Sequence, residues 1–151
     1  SDGYKIKGYE LDATKINATE LVEHLYAVGK SMGSDLDGVA SNTPSFFVWA
    51  IRDSYTAPLQ RVQIIKGYVG SNGSPQEQVF DVACSDGGSP DPVTYRCPDN
   101  NAKVDIANCA ISQDVGDAEL KAFWSDPTFE VDQRAFYYVR ALENPTCRWS
   151  T

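Results

Sequence analysis

Histidine and methionine are each present once, as His24 and Met32. A Ser-His-Asp triad, a histidine-rich metal site and most imidazole-based acid-base schemes need more than one lone histidine on a polar segment. The chain also has no nucleophile elbow, no phosphate-binding glycine loop and no Cys-x-x-Cys pair. No apolar run approaches the ~20 residues that cross a bilayer. Basic side chains are scarce as well. Thirteen Lys and Arg face 21 Asp and Glu, for a formal net charge of -8 and a pI near 4.5. Binding a phosphate backbone requires clustered Lys and Arg that displace counterions, so nucleic acid and anionic membrane surfaces are excluded as expected partners.

The remaining composition is that of a globular protein, with 42% hydrophobic and 23% charged residues over 151 positions. That length suits one domain, residues 1–151, with a single ordinary core. The chain begins Ser1-Asp2-Gly3 with no charged and apolar leader, which is expected of a processed chain or of a fragment of a larger protein.

Four cysteines, Cys84, Cys97, Cys109 and Cys147, all lie in the second half. Their even number and the absence of a metal-type spacing point to two disulfides, and hence to an oxidising compartment: exported, periplasmic or extracellular. Three connectivities are open. Cys84 with Cys97 and Cys109 with Cys147 is favoured, because the first pair brackets a loop too polar to pack on its own.

Hydrophobic periodicity predicts a mainly β fold, a β-sandwich-like or twisted antiparallel sheet with one or two short helices, or an α+β arrangement as the alternative. A short strand is expected over Tyr4 to Leu11. A helix follows, capped by Asn17 with Glu20 three residues on, and stopped by Gly29 in a left-handed conformation. Within it, His24 reads as a surface residue. The run FFVWAI from Phe46 to Ile51 predicts a strand buried on both faces. Leu59 to Val69 and Gln78 to Cys84, joined by Ser71-Asn72-Gly73-Ser74-Pro75, form the clearest hairpin, with Val62 and Ile64 opposite Arg61, Gln63 and Ile65. Asp117 to Trp124 reads as a short helix carrying Leu120, Phe123 and Trp124. Ala135 to Leu142 reads as the last strand, with Phe136, Tyr138 and Arg140 on one side. Arg140 there should reach solvent or pair with Glu143 or Asp81.

Ser85 to Ala107 loses periodicity and reads as a long surface loop. Asp99, Asn101 and Asp105 alternate as calcium ligands would, but Lys103 stands at a ligand position and Ala110 where a closing Glu is needed. The carboxylate pairs Asp35 with Asp37 and Asp114 with Asp117 have the residue types of a glycosidase, yet acids this frequent pair by chance. Neither a catalytic residue, a metal ligand nor a cofactor is therefore expected. The exposed aromatics Tyr9, Tyr55, Tyr68, Tyr95 and Trp149 offer a sugar-stacking face if the fold brings them together.

The runs Met32 to Leu36, Arg61 to Gly67, Ala118 to Pro127 and Arg134 to Thr151 (RAFYYVRALENPTCRWST) together resemble the bacterial domain of unknown function 3604 family. Members are similar to large, often exported proteins. Their earlier portion carries a His and Asp motif like that of metal-dependent hydrolases of the polymerase and histidinol phosphatase type. None of that motif is in this chain. The resemblance implies an accessory or structural C-terminal portion with the remainder of the parent chain as its partner. It also implies that the four cysteines belong to a subset of members, as local staples rather than catalytic thiols. Gly33, which permits close backbone approach, and Asp35 are then the candidate binding residues. The alternative is a carbohydrate-binding or other extracellular ligand-binding module.

Overall fold

The computed structural model describes residues 18–36 and 43–148. The strand expected at Tyr4 to Leu11 and the cap at Asn17 lie outside them. The described elements are α1 (Ala18–Val28), β1 (Ser45–Ile51), β2 (Leu59–Val69), β3 (Pro75–Cys84), β4 (Val104–Asp105), β5 (Ala110–Ile111), β6 (Glu119–Ser125) and β7 (Ala135–Glu143). The fold is mainly β, as its alternating sequence predicts.

The chain divides into two compact units, Ser1–Phe46 with Trp124–Gln133, and Phe47–Phe123 with Arg134–Thr151. In the first, α1 has Glu20 in its opening turn, where a carboxylate favours the helix dipole, and Leu21 is its buried anchor at 1% exposure. His24 is exposed. The Gly29 amide still bonds the Leu25 carbonyl at 2.8 Å. A left-handed glycine appears four residues later, at Gly33 with φ 88°. The same unit holds the start of β1 and the end of β6, where Ser45 and Ser125 hydroxyls meet at 2.7 Å and the Phe46 and Trp124 rings at 5.8 Å. Asp126 then turns the chain, its carboxylate accepting from the Thr128 amide and hydroxyl.

The second unit is built on the antiparallel sheet β3-β2-β7. The β2–β3 hairpin closes through Gly73, at φ 76°, with the Gly70 amide bonded to the Ser74 carbonyl at 2.9 Å. β2 is the middle strand, which is why it is buried from Val62 to Gly67 on both faces. Val62, Ile64 and Phe80 share one face and Ile65 the other, each at most 1% exposed. Burial of such side chains contributes about 1.5–3 kcal/mol each. A bulge at Val62/Gln63 leaves Val82 without an opposite residue.

Two expectations are corrected. Asp117 to Trp124 is not a helix, because Glu119–Ser125 is a strand paired with β1. Leu120, Phe123 and Trp124 fit a helical stripe equally well, and the decision came from a partner strand about seventy residues away. In the second unit the Phe123 ring lies 4.7 Å from Phe47, and Lys121 sits 4.8 Å over Trp49. β1, in turn, is not buried on both faces. Val48 is its buried residue and Ile51 is 67% exposed, as befits a two-stranded pair.

Arg140 reaches solvent, as one of its two expected outcomes has it, and does not meet Asp81 or Glu143 directly. The register places Gln63 opposite both Asp81 on β3 and Arg140 on β7. Gln63 Oε1 accepts from Arg140 Nε at 3.0 Å and Nη2 at 2.6 Å, while Gln63 Nε2 donates to Asp81 at 2.6 Å. Asp81 also accepts from Arg61 at 2.9 Å and from the Cys97 amide at 2.7 Å, with Arg96 at 3.6 Å. Its side chain is wholly buried. Removing one partner of such a buried set leaves charges uncompensated, at about 3–5 kcal/mol. Asp81→Ala is therefore expected to lower the unfolding free energy by about that amount in urea titration, and a loss under about 1 kcal/mol would refute the central role of this carboxylate.

Candidate functional site

At one end of the β3-β2-β7 sheet, the start of β2 and the ends of β3 and β7 come together, and the loop after β3 is anchored there. The first anchor is the Cys84–Cys97 disulfide, with the Ser85 amide bonded to the Gln60 carbonyl at 3.0 Å. The second is a polar knot around buried Asn144. Its amide bonds the Pro58 carbonyl at 2.8 Å, its Nδ2 the Val115 carbonyl at 2.9 Å, and its Oδ1 accepts from Asn100 at 2.9 Å. Asp86, at φ 58°, accepts from the Ser85 hydroxyl and from the Gly116 amide. The Ser85 bond is the main cause that holds its carboxyl below the ordinary aspartate range; burial opposes it, and the Gly116 amide and Asn100 add to the lowering. Gly116, at φ 90°, is hemmed in by Asn144, Pro58 and the Leu59 carbonyl, so a side chain would not fit.

The second disulfide, Cys109–Cys147, ties the short β4–β5 hairpin to the segment after β7. It forms part of the wall of an open depression of about 520 Å³ lined also by Arg52, Tyr55, Thr56, Gln113 and Glu143. Asp99 and Asp105 each accept the amide two residues ahead, Asn101 and Ala107, both at 2.9 Å. Each carboxylate thus closes its own turn, and among the described residues no group of three or more His, Cys, Asp or Glu converges as metal ligands.

The sequence candidates are dispersed. Gly33 and Asp35 lie in an exposed loop where Lys30 Nζ bonds the Asp35 carbonyl at 3.1 Å, and among the described residues none comes within 4 Å of where a Gly33 side chain would begin. Met32 is 85% and Leu36 41% exposed beside them. Asp37 is outside the described residues, and Asp117 accepts from the Asp86 amide at 2.8 Å. Among the aromatics, Tyr55 is exposed, Tyr68 lies under the Lys66 ammonium, and Tyr95 packs on Phe80 at 5.0 Å. Tyr9 and Trp149 lie outside the described residues.

Two other rings do share a face. Phe136 and Tyr138 project from β7 with centroids 6.3 Å apart and planes within 15°, and both are exposed. The alternation of RAFYYVRA places them on one side of a strand. The floor under Phe136 is Gly67, which the register sets opposite it, while Ile65 lies opposite Tyr138.

These features define a mainly β, disulfide-stapled protein with an aromatic sheet face. The chain belongs to the family described as "Protein of unknown function (DUF3604)", which it matches over residues 6–151. Neither a curated protein nor a solved structure matches it. No described helix is long and apolar enough to cross a membrane.

Two outcomes follow from the sheet end. Cys84 and Cys97 are each 9% exposed whereas Cys109 is exposed, so limiting dithiol should open Cys109–Cys147 first, as read by alkylation and peptide mapping. Preferential alkylation of Cys84 and Cys97 would contradict this. The lowered carboxyl of Asp86 contributes stability above the ordinary aspartate pKa of about 3.9, and that contribution is lost as pH falls through the lower folded value. Asp86→Asn should accordingly melt lower than the parent at pH 7, with the gap narrowing below about pH 4. A gap that does not change with pH would remove the ionised carboxylate from the account.

Proposed function

We propose that this chain is an accessory or structural C-terminal domain of a larger protein, and that it brings no catalytic group of its own. The observation that carries the reading is the loop from Ser31 to Leu36, where exposed Met32 and Leu36 flank a left-handed Gly33 that no other described residue crowds. Exposed apolar side chains on a turn are costly in water and gain by being covered. The missing Cβ lets another backbone approach closely. In this reading the remainder of the parent chain hydrolyses an ester with a bound metal pair, and Gly33 and Asp35 approach that site. Two disulfides suit an oxidising, extracytoplasmic setting.

A second reading, an extracellular ligand-binding module, is favoured by the paired exposed rings of Phe136 and Tyr138.

The first reading predicts that, in the full-length protein, Gly33→Val with Asp35→Ala lowers ester-hydrolysis kcat/KM by about tenfold, or about 1.4 kcal/mol. Asp35→Ala alone, at an exposed position without backbone strain, should keep the isolated chain's melting temperature within about two degrees, whereas Gly33→Val sets a β-branched residue at φ 88° and should lower it. Unchanged turnover in the full-length double variant would rule out an approach of this loop to the reacting centre.

A further inference from the structure

We propose that the sheet face bearing Phe136, Tyr138 and Arg140 is a polysaccharide-binding site, in which pyranose rings stack on the two aromatic rings and their hydroxyls bond the flanking charged groups. The inference rests on the second reading above and names its ligand class.

Three cross-strand rows build this face. Glu77, Gly67 and Phe136 form the first, Val79, Ile65 and Tyr138 the second, and Asp81, Gln63 and Arg140 the third. Gly67 leaves the space that Phe136 fills. A Cβ there would overlap the tip of the Phe136 ring, so the ring reaches across onto β2. The two rings are near-parallel and 63% and 41% exposed, which makes an open apolar strip along the strand, where alternate residues stand about 6.8 Å apart.

Both flanks of the strip are polar. The Arg140 guanidinium is held by two bonds to Gln63, itself locked by buried Asp81, so its direction is set before any ligand arrives. The Glu77 carboxylate lies 3.4 Å from the Tyr138 hydroxyl. A pyranose has a face of C–H groups and a rim of hydroxyls, and an apolar strip with fixed donors and acceptors beside it matches both. Nucleobases stack as well, but a net charge of -8 repels their phosphates. The strip is open, not enclosed, which suits a segment of a polymer over a small molecule.

The test is affinity electrophoresis of the chain through gels containing neutral polysaccharides (β-glucan, xylan, mannan), followed by calorimetry with oligosaccharides of any that retard it. At least one should bind. Phe136→Ala and Tyr138→Ala should each weaken binding by about tenfold, as loss of one stacked ring implies. Gly67→Ala keeps both rings yet lifts Phe136, and should weaken binding too. Tyr138→Phe retains the ring, should retain most of the affinity, and together with circular dichroism guards against mere unfolding. Retardation by no neutral polysaccharide, or retardation unchanged in Phe136→Ala and Tyr138→Ala, overturns the proposal. A peptide library run in parallel separates the two levels. Peptide binding that needs Phe136 and Tyr138, without glycan binding, overturns the sugar class and keeps the ligand-binding reading, whereas binding to neither set overturns both.

Discussion

A single carboxylate, that of Asp81, ties the second unit together. A carboxyl group with no exposure must have each oxygen satisfied, and here the partners come from three places: Arg61 and Gln63 on the central strand, Arg96 on the loop after β3, and the backbone amide of Cys97. Meeting that demand fixes the β2–β3 register next to the bulge. It also brings the chain after β3 back alongside the strand, with the Asp81 amide bonded to the Tyr95 carbonyl at 2.9 Å. The Cys84–Cys97 disulfide then closes a loop already positioned by hydrogen bonds. Through Gln63 the same network reaches across the sheet and orients Arg140.

The two edges of the sheet differ as a result. The β3 side is covered by the returning loop, its disulfide and the Asp81 bonds. β7 carries neither Lys nor Pro and leaves most of its residues exposed. Natural sheets blunt open edges with such residues because unpaired strands invite association. Here the unblunted side carries two exposed rings and a fixed guanidinium. Stability is concentrated toward β3 and chemical opportunity toward β7, and the central strand with buried Val62, Ile64 and Ile65 separates them.

Much of this was legible in the order of residues. Alternation marked β2, β3 and β7, Asn72-Gly73 marked the hairpin, and the mainly β class followed from both. The aromatic face was half legible: Phe136, Tyr138 and Arg140 fall on one side of any strand, yet the exposed rings singled out from sequence were others. Tyr68 and Tyr95 are half-buried against Lys66 and Phe80. Exposure of an aromatic depends on what crosses its face, which local pattern does not encode. The β6 segment failed for a related reason. Leu120, Phe123 and Trp124 satisfy two periodicities at once, and only β1 decided between them.

By itself, the sequence determined the class of fold, the hairpin, the family, the scarcity of imidazole and the acidity that disfavours polyphosphate partners. These depend on composition, on period-two patterning and on short-range turn chemistry, all local quantities. The tertiary structure decided that Asp81 has several partners, that Arg140 is reached through Gln63, that Asp99 and Asp105 each close their own turn, and that Gly67 lies beneath Phe136. Each of these depends on residues far apart in the chain or on the path of a loop, and cross-strand register, which alternation alone leaves free to slide in steps of two, is settled only when a buried charge and a bulge select one pairing.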